Sequence, residues 1–280
     1  MTIESSVPAN VLETQVKLAL EEDIGQQDLT ADLISVNSKA IASIITRQDA
    51  TLCGQAWVNE VFTQLDPTVK IHWNFNDGQR IKADQVICQL EGSARSLLTG
   101  ERTAMNFLQT LSATASHAQL YADAVEGLAV QILDTRKTIP GFRLAQKYAV
   151  RCGGCHNHRV GLYDGILIKE NHINAAGSIA KAVQQAKSLH PDVMVQVEVE
   201  NFAELDQALA TQADIVMLDN FNVADLIKAV GLNQTVTLLE ASGGITLKNV
   251  RTMAETGVDR ISIGAITKDI QAIDLSMRFL

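Results

Sequence analysis

The sequence predicts a two-part chain of the α/β class, and three observations carry that prediction. The 280 residues are 46% hydrophobic but only 4% aromatic, which is typical of an aliphatic α/β interior. Strand-like and helical segments in mixed order occupy roughly the first 110 residues, which indicates an α+β unit. After Gly127, short aliphatic runs are separated mostly by amphipathic helical segments, and that repeated βα order predicts a parallel sheet or barrel.

The first part is predicted from its hydrophobic periodicity. Leu12, Val16 and Leu20 have helical spacing, and Gly25 is expected to end that helix. The further predicted elements are a strand at 39–46, a helix at 58–65, a strand at 69–75 and a short hairpin at 77–92. Residues 93–126 have a helical pattern that we expect Gly100 and the Ser112-Ala113-Thr114 patch to break into shorter helices.

The second part is predicted to contain six strands. The aliphatic runs fall at 129–134, 165–169, 193–199, 214–218, 235–240 and 259–264. Only sixteen residues follow the sixth run, too few for two more βα units, so we do not expect an eight-stranded barrel. We place the domains at residues 1–112 and 113–267, with the tail 268–280 expected to pack on the first domain.

Composition excludes several classes of function. A net charge of -9 and a pI near 5.1 argue against nucleic acid or an acidic membrane as the main partner. The start MTIESSVPAN lacks the features of a signal peptide, and no apolar stretch is long enough to cross a bilayer. Four cysteines in a chain of this length do not suggest a disulfide framework. We therefore expect a soluble, cytoplasmic protein.

The stretch 134–172 concentrates positive charge in this acidic chain. Seven Lys or Arg stand there against three acidic residues, a local net charge of +4. Arg143, Lys147 and Arg151 are spaced i, i+4, i+8, and a solvated helix face explains them as well as a binding role does. Arg136 and Lys137 directly follow an apolar run, where a strand ends and a loop turns, so they are better candidates for binding an anion.

Acidic side chains are expected at the same edge of the second part. Working groups of βα barrels gather at the carboxyl ends of the strands. Glu198 and Glu200 in VQVEVEN lie two residues apart on one strand face, and which of them points into the barrel mouth stays open. Glu198 and Asp219 are candidates for Mg²⁺ or a cationic partner; ion pairs that only hold the fold together are the alternative.

Glycine turns follow the last two predicted strands. They are Ser242-Gly243-Gly244 and Ile263-Gly264-Ala265. Barrels commonly bind a phosphate with backbone N–H groups at this place, so the two adjacent turns predict a phosphate site.

The run Cys152-Gly153-Gly154-Cys155-His156 is similar to a haem-attachment sequence, and with His158 it is similar to a zinc cluster. Haem attachment of that kind belongs to exported proteins, and no second cysteine pair completes a tetrahedral site. We therefore expect no metal at this run.

With these residues assembled, nearly the whole chain resembles the quinolinate phosphoribosyltransferase family. The resemblance is carried by GERTAMN, DTRKTIPG, the GG-x-x-NHR element at Gly153 to Arg159, ILIKENH, VEVEN, MLDN and SGGI, which occur in order. It implies an N-terminal open α/β sandwich, a C-terminal incomplete six-stranded α/β barrel, and a homodimer or assembly of dimers whose site is completed by the neighbouring subunit. It also implies that quinolinate and phosphoribosyl pyrophosphate react with Mg²⁺ to give nicotinate mononucleotide, pyrophosphate and CO₂.

The resemblance assigns roles to residues of this sequence. Lys137, Lys169, Glu198 and Asp219 are implied as catalytic, with Glu198 and Asp219 near Mg²⁺. The implied substrate-binding residues are Arg102 (from the partner subunit), Thr135, Arg136, Lys137, His158, Arg159, Lys169, Glu198, Asp219, Ser242, Gly243, Gly244, Ile263, Gly264 and Ala265. Cys155 and His156 depart from the smaller or more variable residues expected there.

Three other functions stay open from the sequence. A related enzyme could accept nicotinate, although the pair Arg136 and Arg159 favours a base with two carboxylates. A non-catalytic barrel homologue could keep the fold and the phosphate site. A Schiff-base aldolase could use Lys169 at its strand end.

Overall fold

The computed structural model describes residues 7–280, so the first six residues of the predicted first domain lie outside the described part. The elements before the long helix are α1 (Ala9–Ile24), β1 (Lys39–Thr46), β2 (Ala50–Thr51), α2 (Gln55–Leu65), β3 (Lys70–Trp73), β4 (Arg80–Ile81) and β5 (Val86–Ser93). They are followed by α3 (Ala94–Ala124), β6 (Gln131–Leu133), α4 (Arg143–Cys152), β7 (Ile166–Ile168), α5 (Glu170–Ala176), α6 (Ile179–Leu189) and β8 (Val195–Val199). The remaining elements are α7 (Phe202–Leu209), β9 (Ile215–Asp219), α8 (Val223–Leu232), β10 (Leu238–Ser242), α9 (Val250–Ala254), β11 (Arg260–Ser262), α10 (Ala265–Lys268) and β12 (Leu275–Phe279).

The chain divides into two compact units. The first contains the residues up to Gln119, Leu144–Gly154 and Asp269–Leu280; the second contains Leu120–Arg143 and Cys155–Lys268. The boundaries therefore cross the sequence more than once: α4 belongs almost entirely to the first unit although it follows β6 of the second.

The first unit is built on an antiparallel sheet in the order β12-β1-β5-β3. The C-terminal strand β12 pairs with β1, so the tail belongs to this unit. Trp57 and Phe62 of α2 and Leu97, Leu108 and Leu111 of α3 are almost completely buried in its core. Burial of these large apolar side chains is the main stabilising contribution to such a unit.

Two predictions for the first unit were wrong. The hairpin at 77–92 does not form, because β4 pairs with β2 whereas β5 pairs with β1 and β3. The long helix α3 is also unbroken. Ser112 lies inside it with Oγ accepting from Cys53 N (2.9 Å) and donating to Cys53 O (3.0 Å), so this buried hydroxyl is satisfied without interrupting the helix.

The second unit has six parallel strands in the order β6-β11-β10-β9-β8-β7. Five of the strands are neighbours in chain order, and β6 completes the sheet beyond β11. This confirms the predicted class: an open α/β sandwich followed by an incomplete, six-stranded α/β barrel. Because all strands run the same way, their carboxyl ends meet at one rim.

The helix α4 corrects the interpretation of the basic residues 143, 147 and 151. Lys147 is only 3% exposed, and Arg143 donates to Thr138 Oγ1 (3.1 Å) and to the Val160 carbonyl (3.1 Å). The spacing therefore does not mark a solvated face. Within residues 7–280, no helix has the length and apolar character needed to cross a bilayer.

Candidate active site

A cavity of about 350 Å³ opens at the carboxyl ends of the barrel strands, and all of its lining residues belong to the second unit. The lining consists of Thr135, Arg136, Lys137, His158, Arg159, Leu167, Lys169, Glu198, Met217, Asp219, Ser242 and Ser262. Nine of these twelve were predicted from the sequence; Leu167, Met217 and Ser262 were not. Leu167 and Met217 had no signal of their own, because an apolar residue on a buried strand resembles any core position.

One side of the cavity is cationic. Arg136 and Lys137 follow β6, Lys169 follows β7, and Arg159 lies in the loop before β7. Desolvation, together with the neighbouring Arg136, lowers the pKa of Arg159, and Asp164 acts in the opposite direction. Like charges are thus held together in a partly dehydrated place, which is unfavourable unless an anion shares it.

The loop that carries His158 and Arg159 is tied to the barrel by a buried carboxylate. Asp134, at the end of β6 and 0% exposed, accepts from His158 N (2.8 Å) and from Asn157 Nδ2 (2.7 Å). Arg159 Nη1 donates to the Gly165 carbonyl at 2.9 Å. These bonds give an otherwise irregular segment a fixed course beside the strand ends.

The other side of the cavity is acidic. Glu198 on β8 forms an ion pair with Lys169, and Asp219 ends the neighbouring strand β9. Desolvation and the nearby Glu198 raise the pKa of Asp219, while Lys169, Ser242 and Lys137 act to lower it. Glu198 lines this cavity and Glu200 does not; Glu200 is exposed and its backbone N donates to Glu204. The open question about VEVEN is therefore answered in favour of Glu198.

The residues present fit a magnesium ion. Hard oxygen donors on adjacent strands suit Mg²⁺, which usually keeps several waters and takes one or two carboxylates. Glu198 and Asp219 are close enough for the charge of one to act on the pKa of the other, so a divalent cation between or beside them would relieve that repulsion.

The predicted phosphate turns lie at the ends of β10 and β11. Gly243 and Gly244 have φ of +93° and +62°, and a Cβ on Gly243 would lie 2.1 Å from Asn220 Oδ1. A Cβ on Gly264 would lie 2.9 Å from Lys137 Cδ. The positive φ and the close contact favour glycine at position 243, whereas a larger residue at position 264 would require the Lys137 side chain to move. Ser242 lines the cavity, whereas Gly243, Gly244, Ile263, Gly264 and Ala265 are not among its lining residues, and Ile263 is buried.

The structure does not bring Arg102 into the cavity of its own second unit. Arg102 is exposed on α3, within the first unit. The resemblance implied that it acts from the partner subunit, and this stays a prediction.

Glu240 is a buried charged group that the sequence places among the polar residues at the strand ends but to which no role was assigned. Glu240 of β10 is 0% exposed, and it lies close to His158 and to Arg260 of β11. The sequence contained one signal for it: Glu240 stands two residues before Ser242, so both project from the same face of the strand.

The cysteines of the CGGCH run separate. Cys152 belongs to the first unit, near Cys53 and Asp77, whereas Cys155 belongs to the second. Among residues 7–280, no group of three possible metal ligands combines Cys152, Cys155, His156 and His158. Burial raises the pKa of Cys155 to about 12, so this thiol is neutral and packs as an apolar group.

Comparison with known proteins identifies a family along almost the whole chain. Residues 28–112 match the family model "Quinolinate phosphoribosyl transferase, N-terminal domain", and residues 114–278 match the model of the C-terminal domain. A Bacillus subtilis protein named "Probable nicotinate-nucleotide pyrophosphorylase [carboxylating]" is 39% identical over 257 residues, which cover 91% of this chain and 89% of that protein. A Synechocystis protein of the same name is 36% identical over 277 residues, 98% of this chain and 94% of that protein.

A solved structure agrees with these relatives. The nicotinate-nucleotide pyrophosphorylase from Francisella tularensis is 49% identical, covers 100% of this chain and 99% of its own, and superposes with a TM-score of 0.96. Both units are therefore present in the relative with the same fold.

Proposed function

The chain belongs to the quinolinate phosphoribosyltransferase family, and from that membership we propose that it transfers the phosphoribosyl group of phosphoribosyl pyrophosphate to quinolinate. The products are nicotinate mononucleotide, pyrophosphate and CO₂, a reaction of NAD biosynthesis. The observation that carries the proposal is the division of one cavity into a cationic side and an acidic side.

The cationic side suits the anionic substrates. Quinolinate carries two adjacent carboxylates, and we assign their binding to four residues of the cavity lining: Arg136, His158, Arg159 and Lys169. We assign the pyrophosphate to Lys137 and Lys169, and the hydroxyl of Thr135 lines the same cavity. The paired arginines favour a base with two carboxylates over nicotinate, which has one.

The acidic side suits the ribose and its metal. Glu198 and Asp219 would hold Mg²⁺, directly or through water, and contact the ribose hydroxyls. The 5-phosphate would be held by backbone N–H groups at two neighbouring strand ends. The residues are Ser242, Gly243 and Gly244 at the end of β10, and Ile263, Gly264 and Ala265 at the end of β11. Bound Mg²⁺ would supply positive charge to the departing pyrophosphate.

The protein's main work in this reaction is positioning and electrostatic stabilisation. As the bond from C1 to the pyrophosphate oxygen breaks, the ribose gains positive charge, which the carboxylates of Glu198 and Asp219 stabilise, and the pyridine nitrogen forms the new bond. The ring nitrogen then carries positive charge. It stabilises the electron pair left at C2 when the 2-carboxylate leaves as CO₂, and that carbon takes a proton from water.

The proposal includes a homodimer, alone or in an assembly of dimers, in which Arg102 of one subunit completes the cavity of the other. Arg102 is exposed, and the cavity has no lining residue from the first unit, so a cation from a neighbour is compatible with both facts. We place the enzyme in the cytoplasm, where its small phosphorylated substrates are found.

The decisive assay measures nicotinate mononucleotide formation from quinolinate and phosphoribosyl pyrophosphate with Mg²⁺, with nicotinate as the competing base. We expect product with quinolinate and CO₂ release in equal amount. Product from nicotinate alone would identify the related transferase, and no product from a folded protein with either base would favour a non-catalytic homologue. Trapping with borohydride and a carbonyl substrate would detect an aldolase that uses Lys169.

Replacing Arg136 tests the cationic side directly. Arg136→Ala should lower kcat/KM by about 30-fold or more, since a charge-assisted bidentate contact contributes about 2 kcal/mol. Arg136→Lys is the matched control: it keeps the charge but loses the planar fork, so its loss should be smaller. An unchanged kcat/KM in Arg136→Ala would remove this residue from the site.

A further inference from the structure

Glu240 is a carboxylate with no exposure to water, and it contacts His158 of the cavity lining. One oxygen, Oε1, lies 3.4 Å from His158 Nε2, and the other, Oε2, lies 3.0 Å from Arg260 Nε. Both pairs lie within ion-pair distance, although neither has the full geometry of a hydrogen bond. His158 lines the cavity and Arg260 does not, so the carboxylate connects a cavity residue to a cation whose side chain is 11% exposed.

The ionised form of Glu240 is stabilised by its surroundings. Burial alone would raise the pKa of Glu240, but His158, Arg260 and Ser262 together hold it below its ordinary value. An unpaired carboxylate in such a place is unfavourable, so these contacts contribute to the stability of the unit. Stability alone, however, does not require that one partner should be a side chain of the cavity.

The hydrogen bond at His158 Nδ1 determines which ring nitrogen carries the proton. Arg159 N donates to His158 Nδ1 at 2.8 Å, so Nδ1 is an acceptor and the proton of the ring belongs on Nε2, facing Glu240. The other charged groups around this ring are Asp134, which holds the His158 backbone, and the lining residues Arg136, Lys137, Arg159, Lys169, Glu198 and Asp219.

We propose that Glu240 is a positioning residue, which holds His158 in one ring orientation and one tautomer and thereby fixes the His158 ring and the adjoining Arg159 in the cavity wall that receives the two carboxylates of the substrate. The ring is held at Nε2 by Glu240 and at Nδ1 by the Arg159 backbone, so a change at Glu240 is transmitted to both cavity residues. Arg260 has a different part: it neutralises the second oxygen of the carboxylate. The substrate part of this inference rests on the proposed function; the tautomer part does not.

A rescue experiment separates positioning from simple stability. The amide of Glu240→Gln has only one oxygen. We expect this oxygen to face Arg260, because the guanidinium is the more strongly attracting partner. The NH₂ group then faces the Nε2–H of His158. The ring then loses its acceptor. In the double variant Glu240→Gln with Arg260→Met, the oxygen is free to face His158 again. Arg260→Met alone keeps the contact between Glu240 and His158 and serves as the control.

Two readouts are needed, one independent of turnover. Proton–nitrogen correlation spectra of ¹⁵N-histidine-labelled protein, with His158 identified by its loss in His158→Gln, report the tautomer. We expect the Nε2–H form in the wild type, Arg260→Met and the double variant, and a loss of that form in Glu240→Gln. In parallel, the KM for quinolinate should rise at least tenfold in Glu240→Gln, stay within threefold in Arg260→Met, and largely recover in the double variant, with the KM for phosphoribosyl pyrophosphate within threefold throughout.

The opposite results are equally clear. If the double variant is as impaired as Glu240→Gln or worse, or if the His158 tautomer is the same in all variants, Glu240 only stabilises the fold. If Glu240→Gln does not fold, the double variant decides alone: an Nε2–H tautomer with near wild-type KM supports the proposal, and a changed tautomer contradicts it. A wild type with no quinolinate turnover but the expected tautomer series would contradict the proposed function and leave the positioning contact supported.

Discussion

Asp219 shows how a single carboxylate is adjusted by its neighbours. Desolvation and the like charge of Glu198 raise its pKa, while Lys169, Ser242 and Lys137 act against that rise. Because Glu198 already pairs with Lys169, the acidic side is only partly neutralised by the protein itself. A bound divalent cation would complete the neutralisation, which is the physical reason to expect that metal binding depends on Asp219.

Asp219→Asn should therefore raise the Mg²⁺ concentration for half-maximal activity at least fivefold, because the metal loses one of its two anionic partners. Asp192→Asn, an exposed acid before β8, is the control and should leave the Mg²⁺ requirement unchanged. Chelation of the metal should abolish turnover in the wild type. Equal Mg²⁺ titration curves for Asp219→Asn and the wild type would exclude Asp219 as a metal partner.

At the scale of single elements, α3 continues through Gly100, and the packing of α3 against α2 explains why glycine stands there. A Cβ there would lie 2.7 Å from Phe62 Cε1 and 2.9 Å from Leu65 Cδ1, both on α2. Glycine inside a helix lowers stability by about 1 kcal/mol relative to alanine. Glycine nevertheless stands here because it allows α2 and α3 to approach closely.

Gly100→Ala should destabilise the protein even though alanine favours helix. Overpacking a core costs about 1–3 kcal/mol, which exceeds the gain of about 1 kcal/mol in helix propensity. Gly231 on α8 is the matched control, because nothing lies within 4 Å of a Cβ added there. Gly231→Ala should leave the free energy of unfolding unchanged or raise it. Urea unfolding of both variants measures this, and a stabilised Gly100→Ala would show that α2 yields easily.

Helix α2 begins at a carboxylate that is distant in sequence. Asp77 Oδ1 accepts from Gly54 N (3.0 Å) and Gln55 N (3.3 Å), and Asp77 Oδ2 accepts from Tyr148 Oη (2.8 Å). These are the free amides of the first helical turn, which favour an acceptor of negative charge. Burial nevertheless raises the pKa of Asp77 above its ordinary value, and the three hydrogen bonds only reduce that rise.

The pKa of Asp77 predicts a pH dependence of stability with a definite sign. A carboxyl whose pKa is higher in the folded protein takes up a proton there more readily than in the unfolded chain, so its contribution favours folding at low pH and is lost as pH rises through the folded pKa. Relative to Asp77→Asn, which stays neutral, the wild type should therefore gain stability as pH falls from 7 toward 4.5. Urea unfolding of both proteins across that range is the measurement. If the wild type instead gains stability relative to Asp77→Asn as pH rises, the burial argument is contradicted.

The elements and the site differ in how far the sequence could predict them. The six barrel strands were predicted because each is an aliphatic run with polar residues at its end, and Arg136 and Asp219 followed from those positions. The false hairpin at 77–92 arose because the pairing of β4 with β2 is set by tertiary contacts that local turn chemistry does not contain. The role of Glu240 depends on its contacts with His158 and Arg260, which form only when β10, β11 and the loop that carries His158 are assembled.

At the scale of the whole molecule, positive charge is concentrated in one stretch of an otherwise negative chain. The chain carries -9, while the stretch 134–172 carries +4. The described structure gathers much of that positive charge at one cavity, with Arg136, Lys137, Arg159 and Lys169 together. Substrates with several negative charges would be attracted to this cavity and repelled by much of the remaining surface.

Arg102 extends this argument to the assembly. It is an exposed cation of the first unit, and we expect it to add to the cationic side of a cavity in a neighbouring subunit. Arg102→Ala and Lys137→Ala should each lose most activity as homodimers. Heterodimers formed by refolding or co-expressing differently tagged subunits should regain activity, because one of their two cavities has Lys137 from one chain and Arg102 from the other. The theoretical maximum is half of the wild-type activity per dimer.

The control for this experiment is a mixture of two variants in the same unit, Arg136→Ala with Lys137→Ala. Both defects lie in one cavity, so every cavity in the heterodimer keeps one of them and no activity should return. Recovery in the Arg102 and Lys137 pair but not in the control shows that subunits share the site. Isolated heterodimers without recovery in either pair would mean that Arg102 acts within its own chain or has no part in catalysis.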